Sequence, residues 1–469
     1  MPPMRAPAIA LALAATLLLS LAPTAGAASL PPVKHVWIVV LENKDYDVTF
    51  GQNPPAPYLA KTLPSQGELL THYFGTGHLS LDNYITMVSG QPPNPVTQSD
   101  CQFFQDFVGT MGADGVATGS GCVFPPEVKT IADQLEAKGL TWKGYMEDQA
   151  LGEPKTCRHP DINQRDGTQS ATKDDQYAAR HNPFVYFHSI IDRPICATNV
   201  LDLSALPGDL AAKAKTPNYS FITPDLCSDG HDEPCVDGRP GGLHSVDDFL
   251  KEWIPRITGS PAYADGGLVI VTFDEAEDDA SDCCGEPMGP NTPNNGGTTQ
   301  GNGGGRIGAV LLSPYIKPGT VNDTPYNHYS LLRSIEDLFA VPHLAYAANA
   351  GLKPFEEDVF NRPGGSNNGG NNNGGGGGGN YPRPRVSVKR VPRKCVRGPF
   401  RARIKASSKH LKRVNVMLDR KNVASRTTKS FTVRIKTGNL KRGRHLLTAR
   451  ASDKQGRAAR KTAVFRVCR

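Results

Sequence analysis

Hydrophobic residues fall along this chain in short, nearly unbroken runs, separated by stretches in which apolar positions recur at helical spacing. Val36-Trp37-Ile38-Val39-Val40-Leu41 is one run and Gly267-Leu268-Val269-Ile270-Val271-Thr272-Phe273 a second; residues 307–312 form a third. A strand that is apolar at nearly every position is buried on both faces, as in a parallel sheet enclosed by helices. Helical patterns cover residues 130–138 and 330–339. Buried strands alternating with helices predict an α/β fold whose central sheet is mostly parallel, with helices on both faces. Ligands of such sheets bind at the carboxyl ends of the strands, so chemistry is expected in the residues directly after each run.

The pattern changes near residue 363. Residues 363–381 are rich in Gly and Asn and hold almost nothing that could be buried, so they read as a flexible tether. Beyond it, residues 400–404, 414–418, 431–435, 445–449 and 463–467 are short, β-rich and partly alternating. They predict a small Ig-like β-sandwich over 382–469. The preceding stretch, 28–362, suits one large catalytic domain. At the start, Arg5, an apolar stretch over 8–21 and Ala25-Gly26-Ala27 form the pattern of a secretory signal, expected to occupy 1–27 and be removed. The stretch falls short of the roughly twenty residues of a spanning helix. The expected location is secreted, extracellular or in the cell envelope.

Composition sharpens this division. The formal net charge is +7, yet residues 382–469 carry only Asp419 and Asp453 as acids. That segment holds an excess of about 27 positive charges, leaving the rest acidic by about 20. Ten cysteines in an exported chain predict disulfides. Proximity pairs Cys101 with Cys122 and Cys227 with Cys235; Cys283 and Cys284 are expected to bond to different partners, and Cys395 with Cys468 to close the sandwich. No pair of CxxC knuckles speaks for zinc.

Two of the buried runs end directly in acid-bearing dipeptides, Glu42-Asn43 and Asp274-Glu275. Carboxylates gathered at one end of a sheet repel one another and lose hydration unless a cation binds between them. Between the two dipeptides lies Gly77-His78-Leu79-Ser80-Leu81-Asp82-Asn83-Tyr84. A serine attacks an ester only when a base, a lowered pKa or a metal activates it, and a cation held by Glu42 and Asn43 would do so.

These residues fall into an ordered series. Glu42-Asn43 with Asp45-Tyr46-Asp47 and Phe50-Gly51 resembles the ENxSFDxxFG signature of the bacterial and fungal phosphoesterase family, which includes acid phosphatases and phospholipase C enzymes of the alkaline phosphatase superfamily. His78-x-Ser80-Leu81-x-Asn83-Tyr84 resembles its HPSLPNY motif, with Leu79 and Asp82 in place of the prolines. Arg180-His181-Asn182-Pro183-Phe184 is similar to HNPF. Thr223-Pro224-Asp225 through Asp229-Gly230-His231-Asp232 is similar to TPN…NDGHD, with Ser228 where Asn is common. Phe273-Asp274-Glu275, Ser313-Pro314-Tyr315 and Tyr326-x-His328-Tyr329-Ser330 come next in the same order. The resemblance implies an alkaline-phosphatase-like fold and a divalent metal held by Glu42, Asn43, Ser80, Asp274 and Glu275. It further implies Ser80 as the nucleophile, with His78, His181 and His231 binding phosphate oxygens or protonating the leaving group. Asn83, Asp229 and Asp232 would contact substrate or orient a histidine. His328 is expected to order the start of the helix it opens, and Arg306 to be exposed.

Three functions compete. The leading expectation is a secreted, metal-assisted phosphatase acting on phosphate monoesters, small molecules or phosphoinositide head groups, through a phosphoserine. The alternative is a phospholipase C cleaving phosphodiesters of membrane lipids. A third is a binding protein whose basic tail meets an anionic cell envelope or membrane. Phe400, Phe431 and Phe465 read as core rather than as a stacking surface, so specific nucleic-acid binding is not expected.

Overall fold

The computed structural model describes residues 30–297, 301–362 and 385–468, the last stretch interrupted at 393–394, 409–410, 420, 439 and 454–457. The segments expected to be a signal, 1–27, and a tether, 363–381, lie outside the described residues. The chain divides into two compact units, Met1–Asn367 and Asn368–Arg469.

The first unit is built on an eight-stranded sheet. Its strands are β1 (His35–Leu41), β2 (Glu68–Leu70), β3 (Trp142–Met146), β4 (Val200–Asp202), β5 (Tyr219–Thr223), β6 (Gly267–Phe273), β7 (Ala309–Leu312) and β8 (Thr320–Asn322). They lie side by side in the order β8-β2-β7-β6-β1-β5-β3-β4. Only β7 runs against the others, so the sheet is mostly parallel as its apolar runs predict. The third apolar run is thus the antiparallel one. Regular pairing in it begins at Ala309, because Gly308 turns the backbone into the left-handed region at φ 79.

Among the described residues, the longest helices of this unit are α1 (Ser80–Ser89), α2 (Ile131–Ala137), α3 (Gly242–Thr258) and α4 (His328–Phe339). Helices α1, α2 and α4 pack on one another, while α3 forms a separate group with short helices. Every residue of α1 is buried, and Gly90, at φ 69, ends it in a left-handed cap. Helix α2 starts with a capping box in which Thr130 and Asp133 satisfy each other's amides. None of the helices among the described residues is long and apolar enough to cross a membrane.

The second unit contains β9 (Arg385–Lys389), β10 (Phe400–Ser407), β11 (Leu411–Leu418), β12 (Lys421–Arg426), β13 (Ser430–Ile435), β14 (Gly443–Asp453) and β15 (Ala458–Val467). They form two antiparallel sheets, β9-β10-β13 and β12-β11-β14-β15. Inward residues of both sheets, among them Ile404, Val416, Ile435, Leu447 and Phe465, share one core, which makes the unit a β-sandwich.

Five disulfides are formed, including the expected Cys101–Cys122, Cys227–Cys235 and Cys395–Cys468, and also Cys157–Cys196. Cys283 and Cys284 depart from expectation: they bond to each other. The six other cysteines of the first unit are already paired, which leaves the adjacent sulfur as the available partner.

Candidate active site

Strands β1 and β6 are adjacent and in register, with Leu41 opposite Phe273. The dipeptides at their ends, Glu42-Asn43 and Asp274-Glu275, therefore leave the sheet side by side. The Asp274 amide donates to the Leu41 carbonyl at 2.9 Å, and the Glu42 amide donates to the Asp229 carbonyl, also at 2.9 Å. Three acid-bearing segments are thus tied together by main chain alone. Asn43 takes a left-handed conformation, φ 40, which asparagine tolerates better than most residues. Its amide donates to Asp274 Oδ1 at 3.3 Å, and its Nδ2 donates to Glu275 Oε1 at 2.8 Å.

Ser80 is the first residue of α1. Its hydroxyl donates to Glu42 Oε2 at 2.9 Å. One helical turn on, the Tyr84 hydroxyl donates to the other oxygen, Oε1, at 2.6 Å. Asn83 holds the loop that carries His78. Its Oδ1 accepts from the amides of Thr76 and Gly77, and its Nδ2 donates to the carbonyls of Gly77 and Leu79 and reaches Glu275 Oε2 at 3.3 Å.

The histidines close the other sides. His181 is anchored through Nδ1 on Asp229 Oδ2 at 3.1 Å, lies 3.4 Å through Nε2 from Glu42 Oε2, and stacks on the Tyr84 ring. His231 is anchored through Nδ1 on Asp232 Oδ1 at 2.8 Å, and its ring centroid is 6.0 Å from that of His181. His78 Nδ1 lies 3.7 Å from Glu275 Oε2. The site residues expected from the sequence, drawn from segments as distant as 42 and 275, meet in one place, while Ser313-Pro314-Tyr315 lies at the opposite end of the sheet, where the Ser313 hydroxyl donates to the Gly267 carbonyl.

The electrostatics of this place are unfavourable as it stands. Glu42, Asp229, Asp274 and Glu275 are all buried. Burial, and then repulsion from Asp274 and Asp229, pushes the Glu42 carboxyl well above the usual range. Burial likewise raises Asp229 and Glu275, and takes Asp274 up to about 7. Among the described residues no lysine or arginine forms an ion pair with any of the four; the basic side chains in contact with them are imidazoles. Burial holds the His181 imidazole well below its ordinary pKa, so it too brings no charge. Asn43 Oδ1, Asp274 Oδ2 and His181 Nε2 are buried without a hydrogen-bond partner. Ligand atoms of Glu42, His181 and Asp229 lie within 4.8 Å of one another. Carboxylate, amide and imidazole donors left open in this way fit a divalent cation. Of the ligands expected from the sequence, Glu42 belongs to that triplet, Asn43 and Asp274 each keep a buried oxygen without a partner, Ser80 is bonded to Glu42, and Glu275 is turned to the amides of Asn43 and Asn83.

Supporting residues explain why these groups stay in place. His328, the first residue of α4, donates from Nε2 to the Asp274 carbonyl at 2.6 Å and accepts the Tyr73 hydroxyl at Nδ1. Burial takes its pKa down to about 4, so it remains a neutral brace, while Asn327 caps the helix. Beneath Asp274, Gly75 and Gly304 approach so closely that a Cβ on Gly304 would stand 2.2 Å from the Gly77 carbonyl oxygen. Arg306 lies over the Tyr46 ring at 3.8 Å and donates to the Thr71 carbonyl. Sequence reasoning gave no role to Tyr84, Arg180 or Asp100. Tyr84 lies one helical turn from Ser80, which is a readable signal. Asp100, whose Oδ1 accepts from the Leu81 amide next to Ser80, has none in local spacing.

A profile of the Phosphoesterase family matches residues 55–342, more than half of the chain. The chain belongs to that family. The match begins after Glu42-Asn43, which the sheet register ties to it. An acid phosphatase of Aspergillus fumigatus is 26% identical over 313 residues, covering 66% of this chain and 55% of that enzyme. A phosphatidylinositol-3-phosphatase of Mycobacterium tuberculosis is 26% identical over 324 residues, covering 69% of this chain and 83% of that enzyme. The match spans between 55% and 59% of the length of three fungal acid phosphatases in the family. A solved protein of the alkaline phosphatase superfamily from Vibrio parahaemolyticus superposes with a TM-score of 0.38 and 11% identity, over 91% of this chain and 81% of that one.

Charge crowding in this Phosphoesterase family member predicts a reversal of stability. Because the Asp274 pKa is raised when the protein is folded, the stability linked to its proton is present below about pH 4 and lost as pH climbs through about 7. In chelator, Asp274→Asn should therefore melt higher than wild type above pH 7, by on the order of 2–4 kcal/mol, with the gap closing toward pH 4. A saturating divalent cation should invert the order at neutral pH. Thermal unfolding across pH, with and without cation, checks both; a gap independent of pH and cation contradicts the account.

Proposed function

We propose that this protein is an exported phosphatase that hydrolyses phosphate monoesters through a phosphoserine on Ser80. The observation that carries the reading is the Ser80 hydroxyl, placed at the buried start of α1 and pointed at Glu42 Oε2, with two carboxylate-anchored histidines beside it. Family membership supports the reaction class, and the names of the matched relatives support acid phosphatase or phosphoinositide phosphatase activity. Five disulfides accord with an oxidising compartment outside the cytosol.

In the first step the Ser80 proton passes toward Glu42 Oε2, the atom it already faces, as Oγ bonds to phosphorus and the ester oxygen departs. The departing oxygen takes a proton from the His78 imidazole. His181 and His231, whose Nδ1–H groups donate to Asp229 and Asp232, face the reaction with Nε2 and donate from it only after taking up a second proton. Water then attacks the phosphoserine and gives a proton to the imidazole that lost one; the P–Oγ bond breaks, Oγ takes back the proton held on Glu42, and phosphate leaves. A divalent cation held by Glu42, Asn43, Asp274 and their neighbours would supply Lewis acidity, stabilising the serine alkoxide and the charge on the phosphoryl oxygens.

The basic sandwich is proposed to hold the enzyme on an anionic envelope or membrane. On the outer face of its first sheet, Arg401 lies opposite Arg434 and Lys389 opposite Arg403, like-charged pairs that an anionic surface would relieve. The whole chain should sediment with anionic vesicles at low salt and be released at high salt; salt-independent or absent binding contradicts this.

For the catalytic reading, Ser80→Ala should lower turnover of p-nitrophenyl phosphate by on the order of 10³-fold or more while leaving the melting curve in place. Unchanged turnover would remove Ser80 from the mechanism. Release of diacylglycerol from phosphatidylcholine vesicles, with no phosphate released from monoesters, would replace the phosphatase by a phospholipase C.

A further inference from the structure

We propose that Arg180 reads the phosphate group of the substrate and makes the centre selective for phosphomonoester dianions over phosphodiesters. This rests on the phosphoesterase reading above and deepens it.

Arg180 sits on the short turn Ala179–His181, and only 3% of it is exposed. Among the described residues its guanidinium has two hydrogen-bond partners, the Gln169 carbonyl at 3.0 Å from Nη1 and His231 Nε2 at 3.2 Å from Nη2. Among the described residues it forms no ion pair. Arg158, Arg193 and Arg239 of the same unit, all more exposed, each reach a carboxylate. A buried cation without a paired anion is unfavourable, and a guanidinium carries five N–H donors, so capacity remains for an anion that arrives from outside. The field of Arg180 falls on Glu42, Asp229 and Asp100, which places it on the rim of the carboxylate cluster beside the start of α1.

The contact with His231 shows what that anion replaces. A guanidinium only donates, so His231 Nε2 is unprotonated in this arrangement and Nδ1–H is turned to Asp232. A phosphoryl oxygen is a better acceptor than a neutral imidazole because the bond is charge-assisted. Substrate entry therefore exchanges one acceptor of Arg180 for a stronger one and frees His231 Nε2 to face the ester. A monoester dianion offers three non-bridging oxygens. One faces Ser80 and the carboxylate-held cation position, and others remain for the guanidinium. A diester has two such oxygens and one charge, and its second ester group must lie beside a buried arginine that it cannot satisfy.

The experiment compares wild type, Arg180→Ala and Arg180→Lys on p-nitrophenyl phosphate and bis(p-nitrophenyl) phosphate, with inhibition by inorganic phosphate and a melting curve for each protein. Arg180→Ala should lose about 10²-fold in kcat/KM on the monoester and a similar factor in phosphate inhibition, against less than about tenfold on the diester. Arg180→Lys keeps the charge but not the fork and should fall between. Equal losses on both esters, or undiminished monoester turnover and phosphate inhibition, overturn the proposal. If Arg180→Ala does not fold, Arg180→Lys decides by the same ratio. A wild type that cleaves neither ester but binds inorganic phosphate in calorimetry, with binding lost in the Arg180 variants, would defeat the phosphatase reading and keep this one. A wild type that neither cleaves nor binds defeats both.

Discussion

Four buried carboxylates, Glu42, Asp229, Asp274 and Glu275, share one place in this protein without a lysine or arginine paired to any of them among the described residues. Most of the surrounding structure serves to keep them there. Parallel pairing of β1 with β6 delivers two of their segments side by side, and a main-chain bond from Glu42 brings in the third. Left alone, such a group lowers its own charge by holding protons, and the raised pKa values of all four say so. A divalent cation would resolve the conflict in the opposite way. It would keep the carboxylates ionised and place positive charge beside the Ser80 hydroxyl that Glu42 holds.

The remaining parts divide between orientation and electrostatics. Tyr84 and Ser80 occupy the two oxygens of Glu42, so the carboxylate cannot rotate. His328 and Tyr73 hold the Asp274 carbonyl from behind, and Asn83 locks the loop beneath His78. Glycine at 75 and 304 lets two loops touch where side chains would hold them apart. On the far side, the pairs His181–Asp229 and His231–Asp232 each fix a ring through Nδ1, and Arg180 supplies a buried positive charge that no carboxylate among the described residues pairs with. The proposed phosphoryl transfer to Ser80 would require little more than this: an oriented nucleophile, fixed positive charge and a proton for the departing oxygen.

Much of this was legible in the sequence because burial writes itself into apolar runs. β1 and β6 are apolar at nearly every position, and the dipeptides that end them were readable for that reason. Strands β2, β4 and β8 are three residues long, too short to leave a pattern, and β5 carries Ser220 and Thr223 among its apolar residues. The direction of β7 was hidden because burial on both faces says nothing about polarity. Spatial partners were harder still. Asp100 reaches the start of α1 from a loop, and no spacing relates it to Ser80. Arg180 stood in a recognised motif, yet only its burial without a counterion distinguishes it from an ordinary surface arginine. The bond between Cys283 and Cys284 ran against the expectation that neighbours pair elsewhere, since it depended on where the other cysteines lie.

The central claim is that these carboxylates hold protons until a cation displaces them. Titration of a divalent cation into chelator-treated protein, in lightly buffered solution near neutral pH, measures this directly. Binding should be saturable near one site and should release protons, with a larger release at lower pH as more carboxyls are protonated beforehand. Absence of saturable binding, or binding without proton release at any pH, would contradict the account.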